Sequence, residues 1–378
     1  MISQVTFKLY TSASQLPKEW DAVASENIFL SLANLTVLEK SAPVNMHCHF
    51  IGLFKNNRLC GIAISQYIDL SNIPALNKAL KGIKNALFKK FTSHILFIGN
   101  NTLTGQNAYL INDDINETEA LIAIQNALSE IKKEYSRQGV RIHILAVKDF
   151  SKKEMPDFKG AGYKGYFTFC TQPNMIFTIR ENWYSVEDYL AVLNTKYRTQ
   201  YNRARKKATG IEKKKMNAEE IQKHQQKIHE LYLTVANKAS FNTFFLPENH
   251  FEVMKRELKD NFLFYGYFLD EKLIGFSTLI KNNSDMDTYF LGYDETVQKE
   301  KMLYLNMLYD MVAYAIKKGF KQVIFARSAM EIKSSVGAQA EQVYGIIKHT
   351  NPFINLFSKR LFNYFEPKTD WKERNPFK

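Results

Sequence analysis

Two stretches of alternating apolar and polar residues each predict a β-hairpin. The first begins at Phe50 and reads FIGLFKNNRLCGIAI, and the second begins at Phe264 and reads FYGYFLDEKLIGFST. In each stretch, two polar residues (56–57 or 270–271) separate two runs with the period of two that half-buried strands show. Alternation on both sides of a short polar turn is the pattern of a hairpin.

The two hairpins align without a gap at an offset of 214 residues. The coinciding residues are Phe50, Gly52, Phe54, Leu59 and Gly61, matched with Phe264, Gly266, Phe268, Leu273 and Gly275. Each hairpin is followed by a strand that ends in glycine, and then by a helix-period segment that runs into a closing strand. Gly139 and Gly319 stand at the two helix exits, where a left-handed residue ends many helices. This ordered series predicts an internal duplication.

Length and composition agree with two duplicated domains. The chain has 378 residues, which is long for one core, and we place the domains at 1–172 and 173–378. A hydrophobic content of 45% indicates a globular protein, and three cysteines without paired spacing predict no disulfide framework. There is no signal peptide pattern and no apolar run of about 20 residues. We expect a cytoplasmic protein that is at most peripheral on the inner face of the membrane.

The first copy contains an insertion with an unusual charge pattern. The offset falls to 193 after the hairpin, so the first copy has 21 additional residues (214 − 193), within about 70–91. All charged residues of the insertion beyond Asp69 are lysines, namely Lys78, Lys81, Lys84, Lys89 and Lys90. Apolar residues recur between them at helical spacing, as they do beside Lys359 and Arg360 in 352–365. This pattern is typical of helices on an anionic membrane surface, and helices packed on the protein's own core are the alternative.

Most of the remaining excess charge lies at the start of the second half. The net charge is +13, and residues 196–215 contain nine Lys or Arg against the single acid Glu212. Ser185 and Asp188 form a capping-box pattern, and Gly210 is a suitable stop, so a basic helix is predicted over 185–210. Such a concentration of charge suits an anionic surface or a phosphate-bearing substrate, and a solvated charged face is the alternative.

The order of helix, hairpin, strand, helix and strand resembles the GNAT acyltransferase fold. Two such units in one chain are similar to the Fem-type peptidyltransferases and to FemAB-like acyltransferases, including bacterial ceramide-synthase-like N-acyltransferases. The segment LNTKYRTQYNRARKKATGIE resembles their basic helix, and ARSAMEIKSSVGA resembles their final segment. The resemblance spans about Trp20 to Phe365. It implies a mixed α/β (α+β) protein with two tandem GNAT-fold domains, each a twisted central sheet flanked by helices.

The resemblance leaves the acyl donor open. Coenzyme A-dependent GNAT enzymes have a Q/R-x-x-G-x-G/A loop whose amides hold the pyrophosphate at a helix N-terminus. Gln298 fits the first position of that loop, but Lys301 and Leu303 stand where small residues belong. Fem-type proteins, which use aminoacyl-tRNA, likewise lack the loop. Because Gln298 fits the first position, we assign it to the donor phosphates. We expect acyl-CoA or acyl-ACP as a co-substrate and no tightly bound cofactor, although the absence of the small residues leaves the donor open.

Four cations are candidate ligands for phosphate. By resemblance to the Fem-type enzymes, Arg198 and Arg203 of the basic helix lie near the substrate cleft. Arg327 and Lys333 follow a closing strand, where α/β sheets often bind ligands. An arginine fork suits phosphate better than a single ammonium. An ion-paired turn is the alternative for the second pair.

Acyl transfer to an amine needs a proton acceptor and a group that stabilises the oxyanion. Asp285, Asp287, Tyr293 and Asp294 flank the strand where GNAT enzymes often carry such groups. We select Asp294 and Glu331 as candidate bases, with Tyr293 beside them. Ordinary turn chemistry is the alternative for an Asp after Gly-Tyr.

Taken together, these patterns predict an N-acyltransferase that moves an acyl group from a CoA- or ACP-type donor to an amine of a lipid or cell-envelope precursor. A Fem-type transferase that uses aminoacyl-tRNA and a peptidoglycan precursor is one alternative, with tRNA as its partner. A non-catalytic GNAT-like binding module is another. No metal is expected, because His47 and His49 lie on the opposite side of a strand from Cys48 and have no further ligands near in sequence.

Overall fold

The computed structural model describes residues 5–25, 27–73, 83–106, 108–170, 172–238, 242–365 and 371–378. Its chain separates into two compact units. The first unit comprises Met1–Thr171, Phe241–Leu246 and Gln342–Lys368, and the second comprises Gln172–Ser240, Pro247–Glu341 and Thr369–Lys378. Residues 342–368 thus belong to the first unit, although they lie within the predicted second domain, 173–378.

The first unit is built on a mixed sheet. Its strands are β1 (Thr6–Tyr10), β2 (Met46–Lys55), β3 (Arg58–Asp69), β4 (His94–Ile98), β5 (Tyr109–Ile111), β6 (Ile144–Phe150), β7 (Phe167–Cys170) and β15 (Tyr344–His349). They are ordered β1-β2-β3-β4-β6-β15-β7, and β5 pairs with β3. Its helices are α1 (Trp20–Val23), α2 (Leu32–Lys40), α3 (Ile83–Phe91), α4 (Glu117–Arg137) and α13 (Pro352–Phe365), with short 3-10 turns at Ala13–Gln15 and Ile28–Leu30.

The second unit is built on a second mixed sheet. Its strands are β8 (Asn174–Thr178), β9 (Glu212–Lys215), β10 (Phe262–Leu269), β11 (Lys272–Asn282), β12 (Asp285–Tyr293), β13 (Gln322–Ile324) and β14 (Gln339–Glu341). They are ordered β14-β8-β13-β12-β11-β10-β9. Its helices are α5 (Val186–Val192), α6 (Thr195–Lys207), α7 (Ala218–Lys223), α8 (Gln225–Ala236), α9 (His250–Leu258), α10 (Glu295–Lys301), α11 (Leu303–Lys317) and α12 (Met330–Ser335), with a 3-10 turn at Lys259–Asn261.

The two predicted hairpins have the same geometry. Gly52 lies opposite Ile62 in the β2–β3 pair, and Gly266 lies opposite Phe276 in the β10–β11 pair, which is the same register at an offset of 214. The pairing shifts by one residue at 53/54 in the first hairpin and at 267/268 in the second, again at equivalent positions. Residues 56–57 and 270–271 all have positive φ, as a tight hairpin turn requires. A shared irregularity of this kind supports the duplication strongly.

A parallel strand pair with a crossover helix follows each hairpin. In the first unit β4 pairs in parallel with β6 and α4 lies between them in sequence, whereas in the second unit β12 pairs in parallel with β13 through α10 and α11. Gly139 and Gly319 leave the helices with φ of 79° and 72°, which confirms the predicted helix exits. The sequence pattern therefore predicted the architecture of both units.

Each crossover helix is held on its sheet by one apolar face. Ile124, Leu128 and Ile131 of α4 are buried at a spacing of three and four residues, as are Leu308 and Val312 of α11. Burial of one such side chain contributes about 1.5–3 kcal/mol. Truncation of Leu128 to Ala would cost about 2–5 kcal/mol, since the cavity adds to the lost transfer energy.

The basic segment forms two helices instead of one. The capping box predicted at Ser185 and Asp188 is present and starts α5. However, α5 ends before Leu193, and the Asn194 side chain then accepts a hydrogen bond from the amide of Tyr197 to start α6. The break follows from the capping ability of Asn194, which competes with helix continuation.

Part of the predicted surface helix lies outside the described residues. The insertion is described up to residue 73 and again from Ile83, where α3 begins, so nothing is stated of 74–82. In the part of the chain that is described, no helix combines the length and the hydropathy needed to cross a bilayer.

Candidate functional site

The parallel strands of the second unit separate at one end. The register pairs 285–287 of β12 with 322–324 of β13, and the last pair is Asp287 with Ile324. Strand β12 then continues to Tyr293, and among the described residues no strand pairs with it on that side. The chain after β13 instead follows β8, since the Phe325 amide donates to the Met175 carbonyl at 2.8 Å. Beyond Asp287 the edge of β12 therefore has no strand beside it among the described residues, and we call this edge, together with the turn after β13, the β12–β13 opening.

The equivalent strands of the first unit stay closed. Pairing of β4 with β6 continues to the last residue of β4, where Ile98 lies opposite Val147. The next residue, Gly99, has a φ of 142°, and a side chain there would lie 2.6 Å from Cγ of Lys148. Lys148 is buried, forms an ion pair with Asp149 and donates to the carbonyl of Asn100 at 3.1 Å. The place that opens in the second unit is therefore filled in the first.

The turn beyond β13 is strained and is held by one buried lysine. Ala326, Ser328 and Ala329 all have positive φ, between 48° and 70°, which costs about 1–3 kcal/mol at each non-glycine residue. The Nζ of Lys333 donates to the carbonyls of Phe325 (2.6 Å), Ala326 (3.2 Å) and Arg327 (2.7 Å).

Lys333 was predicted to bind phosphate, but its hydrogen-bond donors are used within the protein. An ammonium has three N–H donors, and all three have acceptors in the turn. Burial of the side chain lowers the pKa of Lys333 to about 7. The predicted ligand Arg327 lies in the turn that Lys333 holds and is partly exposed there. Lys333 thus fixes the turn that presents Arg327.

The candidate bases differ in their surroundings. Asp294 caps α10, and its Oδ1 accepts hydrogen bonds from the amide of Thr296 (2.9 Å) and from its hydroxyl (2.7 Å). These bonds lower the pKa of Asp294, which makes the carboxylate a weaker proton acceptor. Glu331 is exposed and forms an ion pair with Arg374, whose Nε donates to it at 3.0 Å. Tyr293 ends β12, with the Lys238 ammonium 5.1 Å from its ring centre.

Two polar residues of β12, Asp287 and Tyr289, lie at and just beyond the end of its pairing with β13, and sequence reasoning selected neither of them as a site residue. Asp287 is only 3% exposed and lies where the β12–β13 pairing ends. Two residues further along, the hydroxyl of Tyr289 lies 3.0 Å from Nε2 of His250, which is itself buried at the start of α9. An acidic residue inside an otherwise apolar strand was a signal for Asp287. No local signal connected His250 with Tyr289, since 39 residues separate them.

Gln298 is used within the protein at the junction of α10 and α11. Its side-chain oxygen accepts a hydrogen bond from the amide of Tyr304 at 3.1 Å, in the first turn of α11. Met302 between the helices is left-handed, with a φ of 50°, and the amide of Asn306 donates to its carbonyl. The amide of Tyr304 at this helix start is thus satisfied by Gln298 instead of facing solvent. Leu303 and Leu305 of the same turn are buried.

The basic helix divides its arginines between internal and exposed roles. Arg198 donates to the carbonyls of Leu190, Ala191 and Leu193, at 3.1–3.3 Å, and so satisfies the end of α5. Arg203 is exposed on α6. The structure therefore brings Arg198 to a helix terminus and leaves Arg203 open to a ligand.

An ion network that sequence reasoning missed anchors α6 and β9. Arg205 donates to Asp310 of α11 at 2.7 Å, and the ammonium of Lys213 lies 3.4 Å from the other carboxylate oxygen. Tyr267 also donates to that oxygen at 3.0 Å. Burial lowers the pKa of Lys213, although Asp310 opposes the shift. This network fixes the basic segment on the sheet, and no local pattern marks Asp310 because its partners are remote in sequence.

Within the described residues, no cluster of three or more His, Cys, Asp or Glu side chains is arranged to hold a metal ion.

Comparison with known proteins places this geometry in context. A model of the FemAB-like family, described as peptidoglycan biosynthesis/recognition, matches residues 105–355. No curated protein matches the sequence.

Solved structures share the architecture at low sequence identity. FemX is 12% identical with a TM-score of 0.54, and the match covers 95% of this chain and 100% of FemX. A tandem GNAT protein from the clavulanic acid biosynthesis pathway, without AcCoA, is 12% identical with a TM-score of 0.51 and coverage of 92% and 99%. A conserved protein of unknown function from Bacteroides thetaiotaomicron is 10% identical with a TM-score of 0.50 and coverage of 91% and 100%. These likenesses confirm the tandem GNAT fold.

Proposed function

Because this chain belongs to the FemAB-like family, we propose that it is an N-acyltransferase whose reaction takes place at the β12–β13 opening of the second unit. The supporting observation is the contrast between the two units. The parallel pair separates after Asp287 in the second unit, whereas it stays paired to Ile98 in the first. Among the described residues, the separated pair leaves the edge of β12 beyond Asp287 without a neighbouring strand, and we propose that an extended donor such as an acyl-pantetheine arm lies there.

The proposed donor is an acyl thioester of the CoA or ACP type, and the acceptor is an amine of a lipid or cell-envelope precursor. The amine nitrogen attacks the thioester carbonyl, a carboxylate takes the N–H proton, and the C–S bond breaks. The thiol and an amide are the products, so no other co-reactant is needed. Arg327, presented by the strained turn, and exposed Arg203 are the candidate contacts for phosphate.

We assign the role of base to Asp287 in preference to Asp294 and Glu331. Asp287 is buried and lies where the pairing of β12 with β13 ends, which places its carboxylate beside the opening and away from bulk solvent. Asp294 is stabilised in its ionised form by Thr296, and Glu331 is exposed and paired with Arg374. Tyr289, hydrogen-bonded to His250, supplies a hydroxyl that could stabilise the oxyanion, with Tyr293 further along β12 as a donor to the leaving thiolate.

The test is a transfer assay with purified protein, long-chain acyl-CoA and a panel of amines. Thiol release and amide formation are measured together, the latter by mass spectrometry. Asp287→Asn is expected to lower kcat by about 10²–10⁴-fold, as loss of a general base does. The matched control is Asp285→Asn, which alters a carboxylate on the same strand that accepts from Gln322 at 2.8 Å. Equal rates for both variants would remove Asp287 from this role.

The same assay separates the alternatives. Transfer from aminoacyl-tRNA but not from acyl-CoA would favour the Fem-type reaction, for which exposed Arg203, Lys206 and Lys207 are the candidate tRNA contacts. Such binding weakens steeply with salt. No product from either donor, with both domains folded, would favour the non-catalytic module.

We propose further that the protein works at an anionic membrane surface. On α13, Phe353, Leu356 and Phe357 are 79%, 76% and 65% exposed, and Lys359 and Arg360 follow them. Their spacing of three and four residues puts the apolar side chains on one face. The end of α3 lies close by, since His349 contacts the Phe91 carbonyl at 2.7 Å. Exposed aromatic residues beside cations are typical of helices that lie on anionic lipid.

A further inference from the structure

The first unit contains a cavity that no part of the proposed reaction uses. Its volume is about 780 Å³, within the range of small-molecule sites. Strands β2 and β3 form its floor through 46–50 and Tyr67, and Tyr135 closes one side from the end of α4. Phe244 and Phe245 cover it from the segment 241–246, which Asn45 ties down by donating to the Thr243 carbonyl at 2.9 Å.

Aromatic rings line the cavity in a continuous series. His47 stacks on Tyr67 at 6.0 Å between ring centres, Tyr67 packs against Tyr135 at 4.3 Å, and Tyr135 meets the edge of His49 at 5.6 Å. Ring faces of this kind attract cations and pack against apolar groups.

The charged side chains that line the cavity are acidic, whereas the chain as a whole is positively charged. The protein has a net charge of +13, yet no Lys or Arg is among the described residues that line this cavity, whereas Glu39 and Asp69 are. Both oxygens of Glu39 already accept hydrogen bonds, from Ser12 and Ala13. Asp69 is one-third exposed, and its Oδ1 accepts from the Ser71 amide at 2.8 Å. In the described lining, a phosphate or carboxylate ligand would meet two acids and no Lys or Arg, so these side chains disfavour anionic ligands.

A buried imidazole on the cavity wall lacks a partner. His49 is 8% exposed and lines the cavity, and its Nδ1 has no hydrogen-bond partner in the described part of the chain. Unpaired buried polar atoms are rare in proteins and call for an explanation. Burial lowers the pKa of His49 to about 4, so the ring is neutral near pH 7 and adds no positive charge to the wall of the cavity.

We propose that this cavity binds an organic ammonium compound, a protonated amine with an apolar body. The ammonium group is held by the Asp69 carboxylate and by the ring faces of Tyr67 and Tyr135. The apolar body packs against Phe244 and Phe245. Each recognition element follows from a feature of the wall: negative charge at Asp69 and aromatic surface beside it.

Binding of matched probes tests this site without any catalytic readout. The full-length protein is titrated by calorimetry, below micelle-forming concentrations, with n-decylamine, n-decanol and n-decanoate. We expect one decylamine to bind per chain, at least tenfold more tightly than decanol, and decanoate not to bind. Because the measurement is of binding alone, its failure leaves the proposed acyl transfer untouched, and failure of acyl transfer leaves this site untouched.

Variants assign the binding to the cavity. Asp69→Asn keeps the shape of the side chain and is expected to weaken decylamine at least tenfold, with decanol unchanged. Phe245→Ala is expected to weaken both probes and serves as a second variant should Asp69→Asn melt early. Asp113→Asn, an exposed acid of the same unit outside the cavity, is the control and should bind as the unaltered protein does. Equal binding of the three probes, no binding of decylamine, or full affinity in both cavity variants would overturn the proposal.

Discussion

The ammonium of Lys333 lies 2.6 Å from the carbonyl oxygen of Phe325, and this contact anchors the turn beside the β12–β13 opening. Two further hydrogen bonds connect the same ammonium to Ala326 and Arg327. We predict that Lys333→Met lowers the free energy of unfolding by about 2–4 kcal/mol, because buried carbonyls are left unsatisfied and strained residues lose their support.

Urea unfolding followed by circular dichroism measures this effect. Lys318→Met, an exposed lysine at the end of α11, is the control and should change stability by less than about 0.5 kcal/mol. If Lys333→Met and Lys318→Met have the same free energy of unfolding, the turn keeps its conformation without the Lys333 hydrogen bonds.

The same lysine predicts a pH dependence of stability. Its pKa is about 7 in the folded protein, whereas an unfolded lysine has a pKa of about 10.4. Between these values the unfolded chain binds a proton that the folded chain does not, so unfolding takes up a proton and higher pH opposes it. The stability of the unaltered protein relative to Lys333→Met should therefore rise from pH 7 to pH 10. Urea titrations of both proteins at pH 7, 8.5 and 10 measure the difference, and a flat difference contradicts the low pKa.

The fold was predictable because its signals are local. The hairpins at Phe50 and Phe264 follow from alternation and turn residues, and Gly139 and Gly319 mark helix exits by their backbone freedom. The return of β15 to the sheet of the first unit was not predictable, because strand order depends on contacts between remote segments.

The roles of the site residues were harder to predict from the sequence, because they too depend on contacts between remote segments. Charge alone could not distinguish Lys333, which holds a turn, from Arg203, which faces solvent. Gln298 matched a phosphate-binding pattern, but the left-handed Met302 lets it cap α11 instead. Such roles depend on where a donor finds its acceptor in the folded chain.

The ion network around Asp310 predicts a large loss on removal of one partner. Asp310→Asn leaves Arg205 and Lys213 facing each other without a counter-charge, and both are about two-thirds buried or more. We expect a loss of about 2–4 kcal/mol in the free energy of unfolding, measured in urea. The double variant Asp310→Asn with Arg205→Met should recover part of the loss. An additive double variant would show that the two residues act independently.

The contact of Glu331 with Arg374 predicts a small effect on stability. The pair is largely exposed, so a double-mutant cycle of Glu331→Gln and Arg374→Gln should give a coupling below about 1 kcal/mol. The same variants then report on catalysis without a folding artefact. Loss of transfer in Glu331→Gln but not in Arg374→Gln would return the role of base from Asp287 to Glu331.

The exposed face of α13 predicts binding to anionic lipid. Replacing Phe353, Leu356 and Phe357 by Ser removes the large exposed apolar side chains of 352–360, and we expect at least a tenfold loss of binding to vesicles of phosphatidylglycerol and phosphatidylcholine, measured by sedimentation. Lys359→Gln with Arg360→Gln should weaken binding less and should remove most of its salt dependence, since about 1 kcal/mol per cation is expected near an anionic surface.

Val44→Ser, an exposed apolar residue outside α13, is the control. Vesicle binding that survives the triple replacement would show that α13 is not the contact, and binding to neutral vesicles of equal strength would show that its cations do not contribute.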